Sequence, residues 1–163
     1  MQAVSIRRAQ KSDAPALLAI EQSSFQSDCI SPRQMRYLLN RAKALTLVAT
    51  VDEQVVAYAL VFVPALPRPA RLYSIAVSEA FRGKKIALSL MQEALRAAEQ
   101  KGYKTMRLEV RSTHQYTRDF YARLGFSPIK HIPHYYQDGE EAIQMERGLT
   151  ARSDISQAKA RRS

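Results

Sequence analysis

One stretch, residues 72–111, constrains the fold more than any other. Leu72 to Val77 has the composition of a strand, and a turn carrying Gly83 follows it. Ile86, Leu90, Met91, Leu95 and Ala98 then recur at helical spacing and mark an amphipathic helix. Gly102 stops that helix. From Thr105 to Arg111 apolar and polar residues alternate, with Leu108 and Val110 on one face of a strand and Glu109 and Arg111 on the other. A chain with this unit near its centre has to build a sheet with a helix lying on it.

The flanking sequence extends the sheet. Ala3 to Arg8 reads as a short strand, with Val4 and Ile6 on one face. Ser12 is the expected cap of a first helix, with Asp13 and Pro15 in its first turn and Leu17, Leu18 and Ile20 as its apolar stripe. Ser23 to Ile30 reads as a loop. Ser31-Pro32 opens a second helix, whose buried side is Met35, Leu38 and Leu39. Leu45–Val51 and Val55–Val63 form a hairpin across Asp52-Glu53, and Pro64, Pro67 and Pro69 stiffen the connector that follows. Beyond residue 111, Thr113 or His114 precedes a helix carrying Phe120, Tyr121 and Leu124, which Gly125 ends. Phe126–Ile132 and Ala142–Glu146 read as a closing antiparallel pair. The order β-α-α-β-β-β-α-β-α-β-β predicts an α+β (mixed α/β) sheet with helices on both faces.

Composition narrows the function classes. At 163 residues the chain suits one domain, assigned to residues 1–149. Residues 150–163 hold Arg152, Lys159, Arg161 and Arg162 against Asp154 and read as a basic, disordered tail. The net charge of +10 favours anionic partners such as nucleotides, nucleic acid, acidic peptides or membrane surfaces, or else reflects solubility plus a basic tail. The single cysteine, Cys29, permits no internal disulfide and fits a reducing compartment. The first residues contain no apolar run of a secretory signal, and no stretch is long and apolar enough to span a membrane. A cytoplasmic location without a membrane partner is therefore expected. His131 and His134 lack acidic partners at ligand spacing, so no metal site is predicted. Cys29 has no histidine near it in sequence and reads as a packing residue, not a nucleophile.

Three segments carry chemistry. Arg82-Gly83-Lys84-Lys85-Ile86-Ala87 puts a glycine and three cations at a helix start. There, unpaired N–H groups and the helix dipole attract anions. It is neither a Walker A loop nor G-x-G-x-x-G, and by itself it is equally a solvated basic turn. Glu109 is a candidate general base, or else a strand-face carboxylate paired with an arginine. Tyr121 is a candidate proton donor, or else a core tyrosine beside Leu124.

Taken in order and spacing, these segments resemble the GNAT superfamily of N-acetyltransferases. The branch they most resemble is the RimI-type ribosomal-protein-alanine N-acetyltransferases. The residues that carry the likeness are Ile75-Ala76-Val77, the connector Ser78-Glu79-Ala80-Phe81, the turn Arg82 to Ala87, Leu108-Glu109-Val110-Arg111, Phe120-Tyr121-Ala122-Arg123-Leu124-Gly125-Phe126 and the hairpin Tyr135 to Ala142. The match runs from about Val4 to Leu149. Two positions depart from the family pattern: Lys85 stands where the turn has its central glycine, and His114 where the second helix start has asparagine.

The resemblance implies a mostly antiparallel sheet with a central splayed parallel pair, and acetyl-CoA as cosubstrate between its strands. It places Ile75, Ala76 and Val77 on the pantetheine arm, Arg82, Gly83, Lys84, Lys85, Ile86 and Ala87 on the pyrophosphate, and His114 beside the arm. Glu109 becomes the general base and Tyr121 the acid that protonates the leaving thiolate. Phe25, Tyr135 and Tyr136 shape the acceptor site. The implied reaction is direct acetyl transfer to a primary amine, with a protein or peptide N-terminus, such as that of a ribosomal protein, as acceptor. A small amine (polyamine, aminoglycoside or amino acid) is the alternative within catalysis. A non-catalytic acyl-CoA-, RNA- or ribosome-binding module is the alternative outside it, although direct nucleic-acid binding is not expected. The resemblance is compatible with a monomer or a dimer.

Overall fold

The computed structural model describes residues 3–25, 27–40 and 43–149. The expectation of a disordered tail from residue 150 lies outside them. Seven strands form one sheet: β1 (Val4–Arg8), β2 (Ala44–Val51), β3 (Gln54–Phe62), β4 (Ala70–Val77), β5 (Thr105–Arg111), β6 (Ser127–Ile132) and β7 (Ala142–Gly148). The helices are α1 (Ala14–Ser24), α2 (Pro32–Leu39), α3 (Ile86–Gln100) and α4 (Gln115–Arg123). The element order agrees with the sequence reading.

Local chemistry explains most boundaries. Ser31 caps α2, its hydroxyl accepting from the Gln34 N–H while the Gln34 side chain accepts from the Ser31 N–H. Asp52 and Glu53, both at positive φ, make the tight turn that joins β2 to β3. The start of α1 differs from expectation. A short 3₁₀ turn covers Lys11–Asp13, and Asp13, not Ser12, stands at the helix N-cap. The Asp13 carboxylate makes no cap bond to α1; it accepts from the Gln10 N–H and from the Arg7 guanidinium and so closes the 3₁₀ turn instead. Ser23 and Ser24 extend α1 instead of opening the loop. In α2 only Met35 is buried; Leu38 and Leu39 are half-exposed at the edge of the packing.

The sheet order is β1-β2-β3-β4-β5-β7-β6. Every neighbouring pair is antiparallel except β4 and β5, which the α3 crossover joins in parallel. On one face α3 packs Leu90, Met91 and Ala94 against Leu47, Ala57 and Ala59 of the central strands. On the other face α1 and α2 pack Leu17, Ile20 and Met35 against Val48, Tyr58 and Leu60. Burial on both faces explains why β2 and β3 read as continuous apolar runs.

The parallel pair is splayed. β4 meets β5 only at Ala70↔Met106 and Arg71↔Arg107, although both strands run on for several residues. A bulge in β4 opposite Leu60 and Val61 leaves Tyr73 without a partner in β3. Bulges increase local twist, and this one turns the rest of β4 away from β5. The opening that results is the centre of the candidate site.

Candidate active site

A cavity of about 450 Å3 fills the splay. β4 contributes Leu72 to Ile75 to its walls and β5 contributes Leu108 to Arg111. His114 and Tyr121 of the α4 region also line it, as do Phe25, Tyr135 and Tyr136. The structure thus brings Glu109, Tyr121, Ile75, His114, Phe25, Tyr135 and Tyr136 to a single cavity, from segments up to 111 residues apart in sequence.

Glu109 is held on every side. Its Oε1 accepts from Arg71 Nε at 2.8 Å and lies 2.7 Å from Arg71 Nη2, and its Oε2 accepts from Gln144 Nε2 at 2.8 Å. Gln144 is its cross-strand partner on β7. The arginine that pairs with it comes from β4, not from the neighbouring Arg111. Burial by itself would weaken the Arg71 cation, but Glu109 raises its pKa above the ordinary value. Arg71 Nη2 also bonds the Tyr135 hydroxyl at 2.7 Å.

Tyr121 is buried, its ring in edge contact with Phe120 and Phe126. It is both a core residue and a cavity-lining one. Burial, with a smaller contribution from Tyr136, pushes its hydroxyl well above the ordinary tyrosine range. It therefore keeps its proton across neutral pH and is available only as a donor. Burial, then Tyr135, pushes Tyr136 up to about 12.

The turn at residues 82–87 is built from unusual backbone. Gly83 has φ +77°, and Lys85, at the N-cap of α3, has φ +62°. The left-handed region suits glycine and strains a residue with a Cβ. Lys85 therefore keeps the backbone shape that the family glycine takes without strain. Its side chain is exposed and makes no cap hydrogen bond to the α3 N-terminus. Ile86 is buried in the α3 core, so only its main chain faces the turn. Lys84 lies over the Phe81 ring at 5.4 Å. Arg82 is turned onto the scaffold, donating to the Val77 carbonyl at 3.0 Å and to Ser24 Oγ at 3.3 Å. Ala76 is buried toward α1 and α2, which leaves its main chain as its only route to a ligand.

Three charged side chains in or beside the cavity escaped the sequence reading. Arg71 is one. Arg111 is the second: it lies 2.8 Å from both Asp138 and Glu140, donates to Ser27 Oγ at 3.0 Å and covers the Tyr136 ring at 4.1 Å. It thereby ties the loop after α1 to the β6–β7 connection and roofs the cavity. The third is Glu21, a fully buried carboxylate whose Oε1 accepts from Tyr58 and from Ser74 Oγ, and whose Oε2 accepts from the Ile30 N–H at 2.9 Å. Its signal was legible: Glu21 lies four residues after Leu17, on the buried stripe of α1. Cys29 is exposed and not the packing residue expected; it donates its thiol to the Phe25 carbonyl, and partial desolvation, then Glu21 and Asp28, raises its pKa. That is the opposite of an activated nucleophile. Among the described residues no group of three or more His, Cys, Asp or Glu is placed to hold a metal ion.

Residues 8–149 match the family model described as an acetyltransferase (GNAT) domain. The chain belongs to the GNAT acetyltransferase family. An N-alpha-acetyltransferase of Sulfolobus acidocaldarius is 30% identical to it over 86% of this chain and 89% of that protein. A ribosomal protein bS18-alanine N-acetyltransferase of Haemophilus ducreyi is 29% identical over 76% and 83%. The crystal structure of the Escherichia coli ribosomal-protein-S18-alanine N-acetyltransferase superposes with a TM-score of 0.82 at 26% identity, over 91% of this chain and 95% of that one. This GNAT chain is accordingly an acyltransferase, an acetyl-CoA-dependent N-acetyltransferase. Its residues fit that cosubstrate: a splayed strand pair with unpaired main chain leads to a helix N-terminus shaped by two left-handed residues, a favourable seat for a pyrophosphate. No helix among the described residues is long and apolar enough to cross a membrane.

Proposed function

We propose that this GNAT enzyme acetylates the α-amine of protein or peptide N-termini in the cytoplasm. The observation that carries the reading is the cavity in the splay and its continuation into a second one. His114 and Tyr121 line the first cavity together with Glu109, Phe25, Tyr135 and Tyr136, while the turn at 82–87 lies outside its lining. The acceptor side also continues past Arg71, Glu109 and Tyr135 into a second cavity, which gives a polypeptide behind the amine somewhere to go. The relatives' activities on N-terminal amines point the same way.

In this mechanism the main chain of Ile75 and Val77 holds the pantetheine amides, and the 82–87 turn and its cations hold the pyrophosphate, with His114 beside the arm. Arg82 leaves the Val77 carbonyl as it engages the anion. Both oxygens of Glu109 already accept hydrogen bonds, so Glu109 takes the ammonium proton through a water. The free amine then attacks the thioester carbonyl and the carbon–sulfur bond breaks. Tyr121 delivers a proton to the departing sulfur, and a main-chain N–H of β4 steadies the negative oxygen. No acyl-enzyme forms.

The test is a panel of N-terminal peptides, spermidine, an aminoglycoside and free amino acids, with release of the CoA thiol as readout. Peptides should give the highest kcat/KM. A small amine that outruns every peptide overturns the reading.

A further inference from the structure

The second cavity, of about 670 Å3, shares Arg71, Glu109 and Tyr135 with the first. Beyond that common wall it is strongly basic, with Lys43, Arg68 and Arg107 joining Arg71 around it. Glu109 is the only acid in its lining, and Arg71 and Gln144 occupy it. Arg107 is paired with Glu146 at 2.7 Å. Lys43 and Arg68 are exposed and pair with no carboxylate among the described residues. Arg68 sits between Pro67 and Pro69 in the stiff connector, which fixes the backbone that presents it.

The roof of the first cavity shows the contrasting arrangement. There Arg111 is matched by Asp28, Asp138 and Glu140. Among the described residues that line the two cavities, the cations without a carboxylate partner, Lys43 and Arg68, both lie in the groove, where they attract an anionic occupant. Phe62, Pro64, Pro69 and Ile132 add apolar walls to this groove. A polyanion that also packs against apolar surface, and that emerges from the amine site next door, is an acidic peptide segment.

We infer that the groove binds an acidic stretch following the acetylated residue, so that acceptors with acidic N-terminal regions are preferred. This rests on the N-terminal acetylation reading above. Two or three partly screened ion pairs, each a few-fold effect, set the scale at about tenfold.

The experiment compares three peptides that share their first two residues and carry glutamate, glutamine or lysine at the next three. Rates are read as CoA thiol at low and high salt. The glutamate peptide should exceed the glutamine peptide about tenfold in kcat/KM at low salt, mostly through KM, and the gap should shrink as salt rises. The double variant Lys43→Glu, Arg68→Glu should abolish or invert that ratio. The milder Lys43→Gln, Arg68→Gln pair should reduce it. Because the ratio is taken within one sample, a partly unfolded variant lowers both rates and leaves the ratio intact. Equal rates for the three peptides, or a preference for the lysine peptide, overturn the inference while N-terminal acetylation stands. A short single-stranded RNA that inhibits at lower concentration than the glutamate peptide assigns the groove to nucleic acid and overturns it too. Acetylation of spermidine with no peptide turned over removes the N-terminal reading, and the inference falls with it.

Discussion

The two ends of the cleft are built by different means. The α3 end is a matter of backbone: two left-handed residues within three positions, a helix N-terminus and few side-chain bonds. The acceptor end is a matter of side chains. Arg71, Glu109, Gln144 and Tyr135 interlock, and Arg111 binds residues from two distant segments. A backbone site tolerates a change of side chain, as Lys85 in place of glycine illustrates. A side-chain network does not, because removing one member leaves the others without partners. Substitutions at the acceptor end should therefore cost more than substitutions at the turn.

Glu109→Gln tests this most severely. It removes the proposed base and leaves Arg71 without its carboxylate. The expected loss is about a hundredfold or more in kcat/KM, within the usual range for general base catalysis, with the rising limb of the rate profile displaced to higher pH. Acetyl-CoA affinity, followed by thermal shift, should change little. A rate within threefold of the parent, with the same pH profile, removes Glu109 from the mechanism.

Tyr121→Phe comes next, at roughly thirtyfold in kcat, since it deletes the proposed proton donor while keeping the ring packing. The affinity for acetyl-CoA should hold, and unchanged turnover eliminates the donor role. The pH dependence has a definite sign. The native Tyr121 pKa is raised, so the hydroxyl is protonated at every pH below the ordinary tyrosine value and cannot cause a loss of rate there. In the unfolded chain it ionises near pH ~10. Its contribution to stability is thus complete below about pH 10 and is lost as pH rises through the higher native value.

Arg111→Ala addresses the roof. Loss of its bonds to the loop after α1 and to the β6–β7 connection should raise the acceptor KM about tenfold, the scale expected when a partly buried charge-assisted contact is cut. Acetyl-CoA binding should be nearly unchanged. An equal loss in both would show that Arg111 supports the whole cleft and not its acceptor half.

Lys85→Gly is the smallest. Relief of the left-handed strain is worth about 1 kcal/mol, or about 2–4 °C in Tm for a chain of this size. The same change removes a cation, so acetyl-CoA affinity should become less sensitive to salt. An unchanged Tm together with an unchanged salt dependence would show that the lysine is neither strained nor directed at the ligand.

The sequence by itself determined the element order, the amphipathic α3, the turn that opens it and the family. All of these are written in residues close together in the chain, where helical and strand periodicity and glycine placement act locally. It also named Glu109 and Tyr121 as the residues to watch, but left each with two meanings. Tertiary structure put both residues in one cavity and also gave each its structural partner: Glu109 is paired with an arginine, and Tyr121 is part of the core. It also decided what periodicity could not see. Arg71 lies 38 residues from Glu109, and Arg111 lies 84 residues from Ser27. Such pairs are brought together by the β4 bulge and by the insertion of β7 between β5 and β6, and nothing in the spacing of either residue announces the other. The strand pair had to open, and the chain had to fold back across it, before those charges could meet.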